Sequence, residues 1–441
     1  MTQLKRKIEG KKAVVSIIGL GYVGLPLATV AANKGYTVIG ADIKKESVHA
    51  INKGISPIKE PGLDRAVAQA VSTGRLRATL HSNMAAREAD IVIVVVQTPI
   101  DSAKEPDLRA FTSAWKTVAE NLTPGKLLIS ESTVPPGTMK KVVLPMLEEK
   151  GLQAGRDFYL AYSPERAIPT RTLQEIEGND RIVGGIDPAS TEAAALFYRQ
   201  ITKGEIAKTD IETAEVVKVI ENAYRDVNIA FANEVALLCG RLGIDATSAI
   251  NLANRHPRVN IHTPGPGVGG HCIPKDPYFL LKSAKEAGLE LKLVSAAREV
   301  NEAMPGHVLD LIKRSLKEAK KDPEKAKISI LGIAYKGNTD DSRNSPAEPI
   351  VRGLMAEKMD VISHDPYVTQ DFGGRFSNDI EEVVKDSDCL VIVTDHDAYR
   401  QLDLGKLKKQ LKRPCIIIDS RSLFRPEAVE AEGLRYVGLG G

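Results

Sequence analysis

Cys272 ends the segment GPGVGGHC, residues 265–272, in which few neighbours carry a side chain. A cysteine nucleophile needs backbone that a substrate can approach closely and turns that glycine tolerates. The other cysteines, Cys239, Cys389 and Cys415, lie within or beside apolar runs, which is typical of buried, unreactive thiols. A glycine-rich surface turn with an incidental cysteine is the alternative. Cys272 is therefore the candidate nucleophile.

A stripe of polar residues follows one predicted helix. Residues 209–243 contain no proline and no glycine before Gly240, and their apolar residues run nearly all round. Six polar residues nevertheless fall within about a third of the circumference: Glu215, Lys218, Asn222, Arg225, Asp226 and Asn233. Buried polar groups must find partners or line a site. The stripe predicts either part of an active site or a seam of salt bridges between domains.

The glycine pattern near the amino terminus predicts a dinucleotide site. Gly19, Gly21 and Gly24 form GxGxxG between a Val/Ile-rich strand and a helix, and Asp42 ends the next strand. Glycines at this spacing allow a tight turn, close approach to a pyrophosphate and close packing of helix on strand. An acid at the position of Asp42 binds the ribose hydroxyls and favours NAD over NADP. Lys44 and Lys45 keep NADP as a minority alternative.

Further strands are predicted within residues 90–99, 126–137 and 157–166, with helical segments between the first two. This alternation predicts a doubly wound parallel sheet, whose ligands bind beyond the carboxyl ends of the strands. The polar residues expected there are Gln97, Thr98, Pro99, Glu131, Ser132, Thr133 and Glu165. For Ser132, a helix or turn cap is the favoured interpretation. A local ion pair with Arg166 is the alternative for Glu165.

The carboxyl-terminal part predicts a second α/β domain. Strand patterns occur within residues 327–347, 359–366, 388–396 and 414–421. The first turn has GIAYKG in place of GxGxxG, so a dinucleotide turn is not expected. Lys336 and Arg343 suit the phosphates of a nucleotide instead.

Composition limits the classes of function. The 441 residues include 60 basic and 57 acidic side chains, a formal net charge of +3, which argues against a dedicated nucleic-acid surface. The basic first residues lack an apolar segment, so neither a signal peptide nor a membrane anchor is expected. The cysteines are far apart with no CxxC pair, so we expect no disulfide framework, no metal site and a reducing cytoplasm.

Four motifs in order resemble the UDP-sugar 6-dehydrogenases of the UDP-glucose/GDP-mannose dehydrogenase family. They are GLGYVGLP, AEVVKVIENAYRD, GPGVGGHCIPKDPYFL and GIAYKGNTDDSRNSPA, and together they span almost the whole chain. The resemblance implies an α/β fold with three parts: a Rossmann-like NAD domain to residue 205, a helical dimerisation domain with the long helix over 206–310, and a Rossmann-like UDP-binding domain over 311–441. It also implies two successive oxidations at C6 of a UDP-sugar by NAD.

The resemblance assigns roles to residues. Cys272 would capture the aldehyde and form a thioester, Lys218 and Asn222 would hold the C6 oxygen, and Asp276 would take part in proton transfer with Lys218 and a water. Glu165 would assist hydrolysis beside Thr133. His271 is expected to be structural. The cofactor would contact Gly19, Gly21, Tyr22, Val23, Gly24, Asp42, Thr98, Pro99 and Thr133. The sugar nucleotide would contact Glu165, Arg166, Lys218, Asn222, Arg258, His262, Gly269, Tyr335, Lys336, Asp341, Arg343 and Arg421.

The sugar is the least determined feature. The segment RHPRVNIHTPGPGVGGHC resembles the enzymes of this family that act on UDP-N-acetylmannosamine, with UDP-N-acetylglucosamine and then UDP-glucose as alternatives. Arg258 is the candidate to reach a neighbouring subunit, and we expect a homodimer or higher homo-oligomer. Thr170 stands where many relatives have glycine. A single-step hydroxyacid dehydrogenase and a non-catalytic nucleotide-binding protein remain as other readings of the chain.

Overall fold

The computed structural model describes residues 2–168 and 170–440. The chain divides into two compact units. The first unit contains residues 1–221 and 278–289, and the second contains residues 222–277 and 290–441.

An eight-stranded sheet forms the centre of the first unit, with the strand order β3-β2-β1-β4-β5-β6-β7-β8. Its strands are β1 Val14–Ile18, β2 Thr37–Ala41, β3 Leu76–Thr79, β4 Ile91–Val94, β5 Leu127–Ser130, β6 Tyr159–Tyr162, β7 Arg181–Gly185 and β8 Ile206–Asp210. The predicted doubly wound sheet is confirmed. The prediction of a wholly parallel sheet was wrong at one place, because β7 runs antiparallel to β6. The chain re-enters the sheet there from the edge at which β6 ends.

Helices cover both faces of this sheet. They are α1 Thr2–Glu9, α2 Gly24–Asn33, α3 Lys45–Asn52, α4 Leu63–Ser72, α5 Ser82–Glu88, α6 Arg109–Glu120, α7 Leu144–Glu148, α8 Thr172–Gly178 and α9 Pro188–Tyr198, with a π-helical segment Met139–Val143 before α7. In β4, Ile91 and Ile93 belong to one hydrophobic cluster, whereas Val92 and Val94 belong to another. Successive side chains thus enter opposite cores, which explains the continuous apolar strand sequences.

The long helix predicted over residues 209–243 is present as α10 (Ile211–Leu242). Its residues up to Glu221 belong to the first unit, and those from Asn222 onward belong to the second. Three helices follow: α11 Ala246–Ala253, α12 Asp276–Glu286 and α13 Lys292–Glu318. The loop between α11 and α12 carries Cys272.

A six-stranded sheet forms the centre of the second unit, in the order β11-β10-β9-β12-β13-β14, and all its pairs are parallel. Its strands are β9 Lys327–Leu331, β10 Asp360–His364, β11 Arg375–Phe376, β12 Cys389–Ile392, β13 Ile416–Asp419 and β14 Arg435–Gly438. Its helices are α14 Ala347–Ala356, α15 Ile380–Val384, α16 Asp397–Arg400, α17 Leu404–Gln410 and α18 Pro426–Ala431, and a 3-10 turn Pro323–Lys325 precedes β9. The sequence predicted four of these strands. The edge strands β11 and β14 are incompletely buried and lack a strong apolar pattern.

The strand orders place the predicted ligand-binding loops. The direction of winding reverses between β1 and β4 in the first sheet, and between β9 and β12 in the second. Ligands of open α/β sheets bind outside the carboxyl ends of the strands at such switch points. The GxGxxG turn follows β1, and the GIAYKG turn follows β9. Both predicted nucleotide loops therefore lie at the switch point of their own sheet.

Candidate active site

The glycine turn after β1 has the shape that a dinucleotide requires. Gly19 has φ +99°, and a Cβ there would lie 2.2 Å from the carbonyl oxygen of Val95. A Cβ on Gly24 would lie 1.8 Å from the oxygen of Gly19, so only glycine lets α2 pack this closely. A Cβ on Gly21 would meet nothing within 4 Å. Space is thus open beside Gly21, near the amino terminus of α2, where a pyrophosphate would bind.

Asp42 lies directly after β2. Its Oδ2 accepts a hydrogen bond from the amide of Leu20 at 2.8 Å, and its Oδ1 accepts one from the amide of Lys44 at 2.8 Å. Each carboxylate oxygen has about two acceptor positions, so both retain capacity for a ribose hydroxyl. The residues present therefore fit NAD at this turn.

The other predicted cofactor residues lie beside the same strand ends. Tyr22 is 42% exposed, and Val23 is partly buried. Thr98 follows β4 and is buried, and its hydroxyl donates to the carbonyl of Thr133 at 2.6 Å. Pro99 is exposed, and Thr133 is partly buried. The Thr98 hydrogen bond joins the segments after β4 and β5.

Ser132 does not cap a helix. Its hydroxyl exchanges hydrogen bonds with the amide and the carbonyl of Val96, at 2.9 and 2.8 Å. It therefore extends the pairing of the segments after β4 and β5. The cap that the sequence favoured for this residue is not what the structure has.

Glu165 and Lys218 come together in the first unit. Lys218, 8% exposed, donates from Nζ to the backbone carbonyl of Glu165. The Glu165 carboxylate accepts the amides of Arg166 and Ala167 through Oε1, at 2.8 and 2.6 Å. An ammonium group has three donors, so Lys218 keeps two for other partners.

Among the described residues, Glu165 and Arg166 do not form the local ion pair that was the alternative for Glu165. Arg166 instead lies 3.2 Å from Glu221, and the partner of Glu165 Oε2 is Arg181 Nη2 at 3.1 Å. Arg181 also binds Glu131 Oε1 at 3.0 Å. Sequence reasoning missed Arg181, since it lies at the start of a strand with no recognisable motif.

In the second unit, the loop of Cys272 is fixed to its surroundings at several points. The amide of Gly265 donates to Asn233 Oδ1 at 2.9 Å, and the amide of Gly270 donates to the carbonyl of Arg343 at 2.9 Å. A Cβ on Gly269 would lie 2.5 Å from the Cβ of Tyr335. At Gly269, therefore, glycine is required for packing within the protein, whereas the sequence suggested substrate approach as its purpose.

Cys272 leads directly into α12. Its carbonyl accepts the amides of Lys275 at 3.0 Å and Asp276 at 2.8 Å, and its side chain is partly buried. Asp276 is fully buried and accepts a hydrogen bond through Oδ2 from Asn222 Nδ2. Lys275 Nζ lies 3.3 Å from Asp276 Oδ1. Three predicted residues, Cys272, Asn222 and Asp276, thus belong to one connected group, to which the structure adds Lys275.

The amide of Asn222 has a defined orientation. Its Oδ1 accepts from Arg225 Nη2, while its Nδ2 donates to Asp276. An amide NH2 group has two hydrogens, so one remains for a further acceptor. Asn222 lies one helical turn after Lys218 on α10, which gives the two side chains similar directions from the helix axis.

Other members of the polar stripe have structural partners. Asp226 is fully buried, and Arg298 Nη1 lies 2.6 Å from its Oδ1. Asn301 donates to the same oxygen at 2.9 Å, and Asn233 donates to Asn301 Oδ1 at 2.9 Å. These members of the stripe therefore form a network that joins α10 to α13 within the second unit.

The predicted nucleotide residues surround the first turn after β9. Arg343 is paired with Asp341 at 2.6 Å, and Lys336 is exposed. Arg421 is partly buried, and its Nε donates to the carbonyl of Val393 at 2.9 Å. The cationic groups of Lys336 and Arg343 thus lie on segments next to the switch point of this sheet.

Three further residues have distinct surroundings. Arg258 is exposed and lines a cavity of about 440 Å³ together with Tyr224 and Phe231. His262 is partly buried, which lowers its pKa, and Arg225 acts in the same direction. Burial, with Arg343 nearby, lowers the pKa of His271 to about 4. His271 is therefore neutral at physiological pH and supplies no positive charge to the neighbouring thiol.

Thr170, the departure from the usual glycine, has φ +78°. Its amide donates to Glu60 Oε2 at 2.9 Å, and the amide of Thr172 donates to Glu60 Oε1 at 2.8 Å. Left-handed backbone is uncommon for a β-branched residue. The buried Glu60 thus holds the segment in the conformation for which glycine is better suited. Pro169, which precedes it, lies outside the described residues.

Two classes of feature are absent from the described ranges. No group of three or more His, Cys, Asp or Glu side chains could hold a metal ion in residues 2–168 and 170–440. Over the same part of the chain, none of the helices combines the length and the apolar character needed to cross a membrane.

Comparison with known proteins identifies the family. Three models of the UDP-glucose/GDP-mannose dehydrogenase family match in order: the NAD binding domain over residues 13–202, the central domain over 212–303 and the UDP binding domain over 329–426. A UDP-N-acetyl-D-mannosamine dehydrogenase from Pyrococcus horikoshii is 43% identical over 97% of this chain and 99% of its own length.

Solved structures agree with this assignment. A UDP-D-ManNAc dehydrogenase from Pyrococcus horikoshii has a TM-score of 0.90 at 42% identity, covering 97% of this chain and 99% of the other. An NDP-N-acetyl-D-galactosaminuronic acid dehydrogenase from Methanosarcina mazei has a TM-score of 0.86 at 34% identity, covering 100% and 98%. The order of the three domains, the glycine turn that fits NAD and the similarity over nearly the whole length place this chain in the UDP-glucose/GDP-mannose dehydrogenase family of NAD-dependent oxidoreductases.

Proposed function

We propose that this protein oxidises the C6 alcohol of a UDP-N-acetylhexosamine to the carboxylate in two NAD-dependent steps, and that this sugar nucleotide is UDP-N-acetyl-D-mannosamine. The observation that carries the proposal is the connected group of Cys272, Asn222 and Asp276 at the start of α12. A dehydrogenase that stops at the first oxidation needs no thiol, whereas oxidation of an aldehyde to an acid needs a group that adds to the carbonyl carbon. NAD accepts the hydride in each oxidation.

In the first oxidation, the hydroxyl proton leaves the C6 oxygen as the hydride leaves C6. Lys218 and Asn222 each have donor capacity beyond their contacts to Glu165 and Asp276, so they are suited to hold that oxygen as its negative charge develops. Asp276 is buried beside Asn222 and Lys275, and with Lys218 and a water it would relay the proton.

In the second oxidation, the Cys272 sulfur adds to the aldehyde carbon and a thiohemiacetal forms. Loss of a second hydride from C6, together with the proton of the thiohemiacetal hydroxyl, leaves a thioester, and water then attacks its carbonyl carbon. The carbon–sulfur bond breaks, the carboxylate leaves and the thiol is restored. Glu165 and Thr133 would position this water, and Lys218 and Asn222 would stabilise the tetrahedral oxyanion.

We propose that the chain is organised as three functional domains, residues 1–205 for NAD, 206–310 for dimerisation and the Cys272 loop, and 311–441 for UDP. The ranges matched by the three family models support this division. The uridine diphosphate would contact Tyr335, Lys336, Arg343 and Arg421, and the sugar would contact Arg166, Arg258, His262 and Gly269. Cationic groups next to the switch point of the second sheet are suited to a diphosphate.

We further propose a homodimer, because α10 exposes large apolar side chains along one face. Ile220, Tyr224, Phe231, Leu238 and Leu242 are 44–62% exposed and are spaced by four or seven residues. Apolar patches that repeat along one helix face are typical of an interface between copies of one chain.

The reducing cytoplasm suits the four cysteines, all of which are thiols in the described residues.

The decisive experiment is a panel of UDP-sugars followed by NADH absorbance. We expect two NADH per sugar, and a kcat/KM for UDP-N-acetylmannosamine about a hundredfold above those for the N-acetylglucosamine, N-acetylgalactosamine and glucose analogues. The N-acetylgalactosamine analogue belongs in the panel because the similar Methanosarcina mazei structure is that of an NDP-N-acetyl-D-galactosaminuronic acid dehydrogenase. One NADH per sugar would reject the thioester route, and a preference for UDP-glucose would reject the proposed sugar.

A further inference from the structure

Four buried side chains of the first unit form a group around one cation: Glu131, Glu165, Arg181 and Tyr198. We call it the Arg181 cluster. Arg181 Nη1 lies 3.0 Å from Glu131 Oε1, Nη2 lies 3.1 Å from Glu165 Oε2, and all three side chains are at most 10% exposed. The guanidinium carbon lies 4.6 Å from the centroid of the Tyr198 ring. One cation thus serves two carboxyl groups that are largely removed from water.

The two oxygens of Glu131 have different surroundings. Oε1 accepts hydrogen bonds from Arg181 and from the Tyr198 hydroxyl. Oε2 is buried and has no hydrogen-bond partner in the part of the chain that the structure describes. A buried carboxylate oxygen without a donor is costly, whereas a protonated oxygen carries no charge to be solvated. The geometry therefore favours a proton on Oε2.

Glu165 has the opposite environment. Its carboxylate accepts two backbone amides and Arg181, and three donors favour the ionised form. Burial alone would raise the pKa of Glu165, but Arg181, the two amides and Lys218 outweigh it and hold the pKa below its usual value. Burial raises the pKa of Glu131 to about 7, because the opposing effect of Arg181 is smaller. Environments that separate two carboxyl groups in this way assign them different protonation states.

The cluster is connected to the proposed chemistry through the backbone. The carbonyl of Glu165 accepts the hydrogen bond from Lys218 Nζ. The charged or titratable groups that face Glu131 come from three elements, with Arg181 on β7, Glu165 after β6 and Tyr198 on α9. Lys218 on α10 is the next charge beyond them.

We propose that Glu131 is a positioning residue that keeps a proton on Oε2 up to neutral pH. Arg181 is then left to hold the ionised Glu165, and the carbonyl of Glu165 holds the Lys218 side chain. Ionisation of Glu131 adds a second negative charge that competes for Arg181. The hold on Glu165 then weakens, and Lys218 is less well placed. The kinetic consequence rests on the proposed function of Lys218, whereas the protonation of Glu131 does not.

The kinetic experiment uses Glu131→Gln, which imitates the protonated acid at every pH. We expect the kcat of the variant to match that of the wild type at about pH 6 and to exceed it about threefold at about pH 8.5, since only the wild type ionises. A purely structural role would lower kcat by the same factor at each pH. A ratio that does not change with pH overturns the kinetic part of the proposal.

An infrared titration of the full-length enzyme without sugar tests the proton directly. We expect a carbonyl-stretch band of a protonated carboxylic acid that disappears as the pH rises from about 6 to about 8.5. Burial also raises the pKa of Glu215 to about 7, so the band should have two components. Glu131→Gln should remove one of them, and the matched control Glu215→Gln should remove the other and keep the Glu131 component. If Glu131→Gln does not fold, Tyr198→Phe serves instead, and its band should persist to higher pH because a donor to the carboxylate is lost.

The outcomes separate the two proposals. If one component of the band is present in wild type and in Glu215→Gln but missing from the Glu131 variant, the proton assignment stands even when no UDP-sugar is oxidised. If no band depends on Glu131, or if the Tyr198→Phe band titrates at the wild-type pH, the proton is not on Glu131 and this inference is wrong whatever the enzyme oxidises.

Discussion

The Cys272 thiol is carried by a loop with anchors on both sides. Upstream, the amide of Gly265 is held by Asn233, and nearer the thiol the amide of Gly270 is held by the carbonyl of Arg343. Downstream, the carbonyl of Cys272 accepts the amides of Lys275 and of Asp276, the first residue of α12. A nucleophile that must add to one carbon atom benefits from such fixation, because misplacement by about 1 Å can cost about a hundredfold in rate.

Replacement of Cys272 tests its role. We expect Cys272→Ala to lower carboxylate formation by roughly a thousandfold or more, because no other group is assigned to capture the aldehyde. The measurement is NADH formation together with chromatographic analysis of the sugar product. NAD binding should be unchanged, since the glycine turn after β1 belongs to the other unit.

Cys239→Ala is the matched control, because that thiol is 7% exposed and belongs to a small hydrophobic cluster. It should retain wild-type turnover. Full carboxylate formation by Cys272→Ala would show that the oxidation does not pass through a thioester.

At the scale of elements, α10 carries several functions along its length. Near its start, Glu215 accepts the amides of Gly137 and Met139 at 2.7 and 2.8 Å. Farther along lie Lys218 and Asn222, and after them the network of Asp226 with α13. Within the first unit, α10 therefore relates the segment after β5 to Lys218.

Glu215→Ala should destabilise the protein by about 2 kcal/mol, because two amides lose their acceptor and the fully buried side chain leaves a cavity. Burial raises the pKa of Glu215 to about 7. The stabilisation by this group is complete below its unfolded pKa and is lost as the pH rises through the folded value. The loss measured by denaturant unfolding should therefore be larger at about pH 5 than at about pH 8.

Glu212→Ala is the control at the same end of α10. The Glu212 side chain is 47% exposed and its ion pair with Lys140 spans 3.1 Å, so its removal should change stability by less than about 0.5 kcal/mol. Equal losses for the two variants would contradict the role of Glu215 as acceptor for the two amides.

At the scale of the molecule, the chain contains two α/β units whose sheets have similar strand orders. Each reverses direction once, and each has a positive-φ glycine, Gly19 or Gly332, in the turn after its first strand. Only the first turn continues as GxGxxG, and the second continues with Tyr335 and Lys336. The same architecture is thus suited to a dinucleotide in one unit and to a nucleoside diphosphate in the other.

The exposed face of α10 leads to a prediction for assembly. Phe231 is 50% exposed between Tyr224 and Leu238 on that face. We expect wild type to sediment as a dimer or a larger homo-oligomer, and Phe231→Glu to shift it toward monomers, because a charge at the centre of an apolar interface costs several kcal/mol when buried. Analytical ultracentrifugation measures the change.

Met355→Glu on α14 is the control, since Met355 is 39% exposed but lies away from α10 in the sequence. It should leave the sedimentation coefficient unchanged. A monomeric wild type would contradict the proposed assembly.

Local patterns allowed much of this molecule to be predicted. The GxGxxG turn, the apolar strands and the long helix are features of neighbouring residues, and the backbone geometry that they require is local. The edge strands β11 and β14 escaped prediction because their burial pattern is weak. The antiparallel direction of β7 was not predicted, because the direction of a strand depends on the path of the whole connection that leads to it.

Sequence alone determined the order of the domains, the nucleotide turns and the identity of the candidate nucleophile. Tertiary structure decided which charges meet. Glu131, Glu165 and Arg181 are separated by up to 50 residues, and the order of β5, β6 and β7 brings them together. The stripe on α10 shows the same limit. The sequence pattern treats Asp226 and Asn222 alike, and only the packing of α13, which brings Arg298 to Asp226, distinguishes the two. The partner of a buried charge depends on contacts between distant segments, and the residues beside it in the sequence do not specify them.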